Sequence, residues 1–348
     1  MKLGIVTPYD SANYGAYLQA YASMQYLKSL GHEVVFIQFR SDEQRKQVFF
    51  PKTASMKAKF RAFMRRRHTL EHYSVMTKSL ELFPIVGLDE LPSAKLDAII
   101  VGSDEIWNVK VATFQNPIFY GVNDIPCFAY APSMGNASET DFQNFPELVE
   151  KIKKISIIGV RDGNTQRIAG LFRGEIPAIV CDPTCLLEPE QYPTFLQRKI
   201  SEQYLLVYAY TVPKALQKKL RRYARERGLK LVSVCMHHAW CDKNICCTPL
   251  EFCSLICHAQ CVFTSTFHGT IFTLMQHKKC AIYASSKKLN DLLQWTEMES
   301  VRVEADPDFE LLAQKLDVQP DYTNLVTNMS RRRAASRKLY ETNLEALT

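Results

Sequence analysis

The sequence lacks an apolar run of the roughly 20 residues that a membrane-spanning helix requires. It also lacks the pattern of a secretory signal peptide, because residues 1–6 read as a short strand and no long apolar segment follows them. These two absences argue against an integral membrane protein and against export. We therefore expect a soluble protein that stays in the cytoplasm.

Cysteine pairs in CxxC spacing, which typify structural zinc and iron–sulfur sites, are missing although the chain has 11 cysteines. Without an export signal, we expect reduced thiols rather than a disulfide framework. Five cysteines cluster along the chain, at Cys241, Cys246, Cys247, Cys253 and Cys257. Buried apolar thiols account for this cluster more simply than a metal site does, so no metal is predicted.

The net charge of +7 is small for 348 residues, but it is unevenly distributed. Ten Lys or Arg lie between residues 40 and 67, against only two acidic residues. Inside this stretch, four apolar side chains repeat at helical spacing: Met56, Phe60, Phe63 and Met64. The pattern predicts a basic amphipathic insertion over about residues 40–75.

Three interpretations of this insertion stay open. It can lie on an anionic membrane surface, collect an anionic substrate, or pack against the protein with a solvated basic face. Nucleic acid is not an expected partner, because no motif that reads nucleic acid accompanies the charge.

Short strand patterns alternate with helix patterns along the chain. Strands are predicted at residues 2–8, 33–39, 98–102, 127–130, 155–160 and 178–181, and then at 204–210, 230–234, 261–264 and 280–283. Helices are predicted at residues 14–30, 214–227, 249–259 and 270–276. This βαβ rhythm is typical of doubly wound parallel sheets, and 348 residues with 47% hydrophobic content can fill two cores.

Residues 187–193, which contain two prolines, mark a crossing between two α/β domains. The predicted division is a Rossmann-like domain over residues 1–186, a second one over residues 187–327, and a helix over residues 328–348 that packs back on the first domain. The clearest helix start is the capping box of Thr248 and Glu251, with Pro249 at the first helical position.

Ligands of open α/β sheets collect outside the carboxyl ends of the strands, and four polar segments fall at such ends. The first is residues 10–15, which supplies Asn13, Tyr14 and Gly15. The second is residues 102–108, which supplies Ser103, Asp104, Glu105, Trp107 and Asn108. Simpler alternatives stay open for both, since Asn and Gly are common in strand-to-helix turns and Ser or Asp can merely cap a helix.

The third segment places Arg161 after a strand pattern, where its guanidinium suits a carboxylate or phosphate, although a surface turn is the simpler alternative. The fourth is Ser265-Thr266-Phe267-His268-Gly269, between a strand and an apolar helix. Its imidazole titrates near neutral pH, which suits acid or base catalysis, and the helix start favours an anion. We therefore predict an active site centred on His268.

Six motifs follow one another in order: Asn13-Tyr14-Gly15 with Gln19-Ala20-Tyr21-Ala22; Gly102-Ser103-Asp104 with Ile106-Trp107-Asn108; Tyr130-Ala131 with Ser133 and Gly135; Arg161-Asp162; Asp182-Pro183-Thr184; and Ser265 with Phe267-His268-Gly269-Thr270. Together they resemble the polysaccharide pyruvyl transferase family over about residues 3–295. The resemblance implies two facing Rossmann-like domains as in GT-B glycosyltransferases, with the acceptor on the first domain and the donor on the second. It also implies phosphoenolpyruvate as donor, a sugar of a cell-surface polysaccharide or its lipid-linked precursor as acceptor, and no cofactor.

Residue roles follow from the same resemblance. His268 is expected to be catalytic, as base for the sugar hydroxyl or acid for the leaving phosphate, and Arg161 to bind the donor. Some members carry an arginine where this chain has Thr266, and we expect Lys288 to replace it. Ser265 and Thr266 are expected to help hold the phosphate and carboxylate.

Asp104 or Glu105 is expected to protonate the donor carbon or to bind the sugar, although Glu105 stands where many relatives have glutamine. The remaining site predictions are substrate contacts by Asn13, Tyr14, Gly15, Ser103, Trp107, Asn108 and Gly269. Two other functions stay open: a GT-B glycosyltransferase that uses a nucleotide sugar, and a non-catalytic protein that recruits polysaccharide enzymes to the membrane.

Overall fold

A computed structural model describes residues 1–52, 55–122, 124–193 and 200–346. Its first sheet is fully parallel and has the order β3-β2-β1-β4-β5-β6. The strands are β1 (Lys2–Val6), β2 (Glu33–Ile37), β3 (Ile85–Val86), β4 (Ala98–Val101), β5 (Cys127–Tyr130) and β6 (Ser156–Gly159). They read as nearly continuous apolar runs because helices cover both faces of a parallel sheet.

The helices of this half are α1 (Tyr14–Ser29), α2 (Asp42–Phe49), α3 (Met56–Ser79), α4 (Pro146–Lys154) and α5 (Gly163–Arg173). Asn13 caps α1, since its side-chain oxygen accepts a hydrogen bond from the backbone N–H of Gly15. Asp162 caps α5 in the same way through Thr165. Both caps lie at carboxyl ends of strands, so they set helix N-termini at one edge of the sheet.

The second sheet is also parallel and has the order β12-β11-β10-β7-β8-β9. Its strands are β7 (Tyr204–Tyr208), β8 (Lys230–Val234), β9 (Lys243–Ile245), β10 (Cys261–Thr264), β11 (Cys280–Tyr283) and β12 (Arg302–Val303). Counted from its own first strand, this sheet has the same 3-2-1-4-5-6 order as the first one, which is the Rossmann order. The predicted α/β class with two doubly wound sheets is therefore confirmed.

Within the described residues, six further helices follow the crossing: α6 (Lys214–Glu226), α7 (Pro249–His258), α8 (Phe267–Met275), α9 (Lys287–Trp295), α10 (Phe309–Asp317) and α11 (Thr323–Glu345). The capping box at the start of α7 forms as predicted, with Thr248 and Glu251 bonded reciprocally. The domain boundary at residue 186 stays a prediction.

Two predicted elements differ from the structure. Residues 178–181 form no strand. Only Ile179 makes a β-bridge, and its partner Val160 lies beyond the end of β6, where the chain turns toward Arg161. Helix α8 begins at Phe267 instead of residue 270, because the side chain of Thr266 accepts from the N–H of Gly269 and caps it. The second difference matters for function, since it puts His268 in the first turn of a helix.

Helix α11 packs back across the first sheet. Tyr340 is 1% exposed and stacks with Tyr26 while its ring also meets Tyr130. The hydroxyl of Ser336 accepts from the backbone N–H of Cys181, and Arg333 donates to the carbonyl of Cys185. The last described helix therefore ties the end of the chain to its first half.

The eleven cysteines all fall in the described ranges, and no disulfide links them. Among the described residues, no helix is both long enough and apolar enough to cross a bilayer.

Candidate active site

The carboxyl edges of the two sheets face each other, and the loops that follow their strands make contact. After β1, Asn13 donates to the hydroxyl of Tyr210 at 2.5 Å and accepts from that of Tyr208 at 2.8 Å, both of which lie at the end of β7. After β4, Glu105 pairs with Lys288, which follows β11. The site is therefore a cleft with walls from both halves of the chain.

His268 lies at the centre of this cleft and is 5% exposed. Its Nε2 is 3.4 Å from Oδ2 of Asp182, an ion-pair distance without hydrogen-bond geometry, and this nitrogen finds no hydrogen-bond partner in the described part of the chain. The other side of the ring lies against Gly15, where an added Cβ would come within 2.1 Å of Nδ1. Gly15 thus allows His268, rather than a ligand, to approach the start of α1 closely.

Asp182 holds its position through both carboxylate oxygens. Oδ1 accepts from the N–H and hydroxyl of Thr184, at 3.0 and 2.7 Å, and Oδ2 accepts from Arg161 at 3.0 Å. Its side chain is 1% exposed. Burial alone would raise the pKa of this carboxyl, but His268, Arg161 and Thr184 outweigh burial and lower it, so Asp182 stays ionised.

Arg161 is buried between two carboxylates. Its guanidinium is 3.0 Å from Asp182 and 3.5 Å from Asp104, and it stacks 4.9 Å above the ring of Phe267. Because both partners and the ring restrict the side chain, the guanidinium is fixed in orientation at the cleft. Sequence analysis left a surface turn open for Arg161, and the structure places the residue in the cleft instead.

Glu105 and Lys288 form an ion pair across the cleft, with 2.5 Å between Oε1 and Nζ. Burial opposes ionisation of Glu105, but Lys288, Arg161 and Asn108 outweigh it and lower the pKa of the carboxyl. Glu105 is therefore ionised near neutral pH, which makes it a poor candidate for protonating a carbon. Asn108, a predicted substrate contact, donates to Glu105 at 3.2 Å and so supports this pair.

A cavity of about 430 Å³ opens beside Arg161 and Asp182. Its lining includes Phe267 and Lys288, and also Arg332, which reaches it from α11 and stacks 4.2 Å above the ring of Trp295. Three cations thus line a space of ligand size, together with the carboxylates of Asp162, Asp182 and Asp291. Arg332 was absent from the predicted site, because nothing along the chain marks a residue of the last helix as a neighbour of Lys288 and Arg161, which lie 44 and 171 positions earlier.

Asp182 was also absent from the predicted site, although a signal existed. The Asp182-Pro183-Thr184 motif carries part of the family resemblance, and an Asp before Pro is a frequent turn cap. Only the fold shows that its second oxygen faces His268.

The structure places several of the predicted substrate contacts inside the core. Trp107 is fully buried, stacks on Tyr120 and donates to the carbonyl of Phe119 at 2.8 Å. Ser103 is fully buried and donates to the carbonyl of Ala131. Both side chains use their polar groups inside the first core, so they support the cleft without lining it.

Tyr14 is likewise fully buried, where it stacks against Tyr208 and accepts from the N–H of Cys247. Through these contacts it joins the two halves of the chain. Thr266 and Gly269 are buried in the cap and first turn of α8. Ser265, in contrast, is half-buried at the end of β10 and stays a substrate-contact prediction.

Among the described residues, no group of three or more His, Cys, Asp or Glu is arranged to hold a metal ion.

The family model of polysaccharide pyruvyl transferases matches residues 13–287. None of the curated proteins matches the chain. Among solved structures, UDP-GlcNAc 2-epimerase from Methanocaldococcus jannaschii is 9% identical over 99% of this chain and 100% of that one, with a TM-score of 0.52. A putative UDP-N-acetylglucosamine 2-epimerase from Listeria monocytogenes is 11% identical over 98% and 97%, with a TM-score of 0.53. At these identities the likeness concerns the fold alone, a two-domain Rossmann-like architecture of GT-B type.

Proposed function

The chain belongs to the polysaccharide pyruvyl transferase family, and we propose on that premise that it moves the enolpyruvyl group of phosphoenolpyruvate onto a sugar as a pyruvate ketal. The acceptor we propose is a sugar of a cell-surface polysaccharide or of its lipid-linked precursor. The observation that carries the proposal is the buried Asp182–His268–Arg161 cluster beside a cavity with three cations.

The reaction defines what the cleft must supply. One proton is added to the methylene carbon of the donor, a sugar hydroxyl attacks the resulting cation-like carbon, and inorganic phosphate leaves. A second hydroxyl of the same sugar then closes the ketal. The two hydroxyl groups release two protons, which equal the proton added to the methylene carbon and the proton that the leaving phosphate takes up. Such a sequence needs a proton carrier and a clamp for two anionic groups.

Arg161, Lys288 and Arg332 are the proposed anion clamp, because they line one cavity from three different elements. Arg161 suits a carboxylate or phosphate oxygen through its fixed guanidinium. Lys288 is shared with Glu105, so donor binding would compete with that ion pair. In this chain Thr266 stands where some family members have an arginine. We propose that Arg332 supplies the second guanidinium, in addition to the cation of Lys288.

His268 is the proposed proton carrier for the sugar hydroxyl or the leaving phosphate, because it lies between the cavity and the Asn13 wall of the cleft. Asp182 is its positioning residue, since an ionised carboxylate stabilises the imidazolium that forms when the ring takes a proton. Asp104 stays the proposed group for protonating carbon or binding sugar, and the lowered pKa of Glu105 favours sugar binding for that residue.

We further propose that the enzyme works at the cytoplasmic face of a membrane, where lipid-linked acceptors are built. The apolar residues of the first half of α3 are exposed: Met56 by 77%, Phe60 by 66%, Phe63 by 69% and Met64 by 65%. Of the three interpretations of the basic insertion, a packed helix is not supported by this exposure. A peripheral contact with anionic lipid accounts for both the apolar and the basic side chains.

The test of the function is direct. Purified protein is incubated with phosphoenolpyruvate and an array of free and lipid-linked galactosides, and the products are analysed by mass spectrometry and a phosphate assay. We expect the mass gain of a ketal together with phosphate release, and loss of both in His268→Ala but not in His32→Ala, a histidine remote from the cleft. Release of UDP or GDP from nucleotide sugars would instead support a glycosyltransferase, and biological activity retained in His268→Ala would support a non-catalytic recruiter.

A further inference from the structure

A second cavity, of about 500 Å³, lies between α2 and α3. Its walls are mostly apolar and include Phe49, Phe50 and Phe63, with Ala62 on its α3 side and Arg66 as its cation. Pockets of about 300–1,000 Å³ with apolar walls and a few polar groups are typical of small-molecule sites. This one contains none of the residues assigned above to donor or acceptor.

The charge around this cavity indicates an anionic ligand. No acidic residue stands between Glu43 and Glu71, while nine Lys or Arg do. Arg65 and Arg67 flank the lining residue Arg66 and are exposed with it. Apolar walls next to concentrated positive charge fit a molecule with a hydrocarbon chain and a phosphate end.

A short chain of side-chain contacts links the wall of this cavity to the loop that borders the active-site cleft. The ring of Phe49, on the cavity wall, is 5.5 Å from that of His72. His72 is buried, and its Nε2 is 2.8 Å from the carbonyl oxygen of Ala12, the residue before Asn13. Arg66 and His72 are six residues apart on one helix, which is about 9 Å along its axis.

We propose that the cavity between α2 and α3 binds the lipid carrier of the acceptor, with the hydrocarbon chain among the phenylalanines and the carrier phosphate on Arg66. The sugar then extends from the carrier phosphate toward the cleft at Asn13. This assignment rests on the proposed function, because it names the class of acceptor for that same site. The exposed apolar side chains Phe60 and Met64 would face the bilayer from which the carrier enters.

Binding is measured by isothermal titration of the full-length protein with farnesyl phosphate as the probe. Ala62→Trp fills the cavity and Arg66→Gln removes its cation, and we expect each to weaken binding at least about 10-fold, a change of about 1.4 kcal/mol. Ser74→Trp, at an exposed position of the same helix, and Lys218→Gln, at an exposed position of α6, are the matched controls, and we expect changes below about 3-fold. Melting curves of all four variants show whether each one folds.

Three further ligands distinguish the source of the signal. Weak binding of inorganic phosphate and of a neutral decyl glucoside is expected, since each offers only half of the recognised chemistry. Farnesyl phosphate is expected to bind more tightly than dioctanoyl phosphatidylglycerol. Equal affinity for the two lipids would overturn the carrier assignment and make the cavity a general membrane anchor. An affinity for decyl glucoside equal to that for farnesyl phosphate would contradict the phosphate site.

Failure of this inference is distinguishable from failure of the proposed function. If the function holds, the ratio of KM for a lipid-linked acceptor to KM for the free sugar rises at least about 10-fold in Ala62→Trp relative to Ser74→Trp. An unchanged ratio in an active enzyme would refute only the cavity. Farnesyl phosphate binding in a protein that forms no ketal with any acceptor would refute only the pyruvyl transfer.

Discussion

At the scale of single residues, the cleft depends on side chains that have opposing charges and little freedom. Asp182 neutralises Arg161 and faces His268, while Thr184 fixes its other oxygen. Gly15 leaves the space that the imidazole occupies. Removal of the carboxylate charge should therefore disturb the imidazole and the guanidinium together.

Asp182→Asn tests this arrangement. Asparagine keeps the cap to Thr184 but lacks the charge that stabilises a protonated imidazole, so we expect kcat to fall about 100-fold or more. The pH–rate limb that reports imidazole protonation should move to lower pH, which loss of packing alone would not produce. Asp308→Asn makes the same change at the exposed cap of α10 and should leave kcat and the profile as in the wild type. Identical profiles for Asp182→Asn and the wild type would remove Asp182 from its positioning role.

At the scale of elements, α3 combines two environments in one helix. Its first half is exposed on every described side chain from Met56 to Arg67, whereas His72 and Met76 in its second half are buried. The burial changes because only the second half packs against the loop after β1. The first half is thus available for a partner, and its composition favours an anionic surface.

Flotation with liposomes measures that contact. Wild-type protein is expected to float with liposomes rich in anionic lipid and to remain behind with zwitterionic ones, because each basic residue near the surface adds about 1 kcal/mol. Neutralising Arg65, Arg66 and Arg67 to Gln should reduce flotation strongly, whereas the same change at Lys218, Arg221 and Arg225, which are exposed on α6, should not. If both triple variants floated like the wild type, the membrane contact would be disproved.

At the scale of the whole molecule, the two halves of the chain meet through more than the catalytic cleft. His68 on α3 meets His237 of the second half edge to face, with ring centroids 5.4 Å apart. Burial, together with the neighbouring His237 and His72 and against Glu71, lowers the pKa of His68 to about 4. The contact between the halves is therefore made by a neutral imidazole.

This contact should make stability depend on pH. The unfolded chain takes up a proton on His68 near pH 6.5, while the folded chain does so only near pH 4, so the folded state binds fewer protons between these values. The contribution is complete above pH 6.5 and is lost as the pH falls toward 4. His68→Gln, which cannot titrate, should lose less free energy of unfolding than the wild type between pH 7.5 and 5, measured by urea denaturation. An equal loss in both proteins would contradict the assignment.

Sequence patterns predicted the strands best where burial on both faces makes a strand continuously apolar, as in β5, β8, β10 and β11, whose bounds agree with the structure. Short edge strands such as β3 and β12 were missed, because two residues carry too little pattern. The class of fold, the family and the position of His268 and Arg161 after strand ends all came from local sequence. These depend on periodicity and on motifs of adjacent residues.

Tertiary structure decided which polar residues near the strand ends line the cleft. Trp107 and Ser103 stand in the same motif as Asp104, but the fold buries their side chains in the core while Asp104 faces Arg161. The cleft brings together residues that are up to about 230 positions apart, among them Asp182, Arg332 and the Glu105–Lys288 pair. Local sequence patterns cannot predict contacts between residues so far apart in the chain. Sequence alone determined which polar residues follow the strands, because these motifs are made of adjacent residues. Only the packing of the two sheets, with their carboxyl ends facing each other, determined which of these side chains meet.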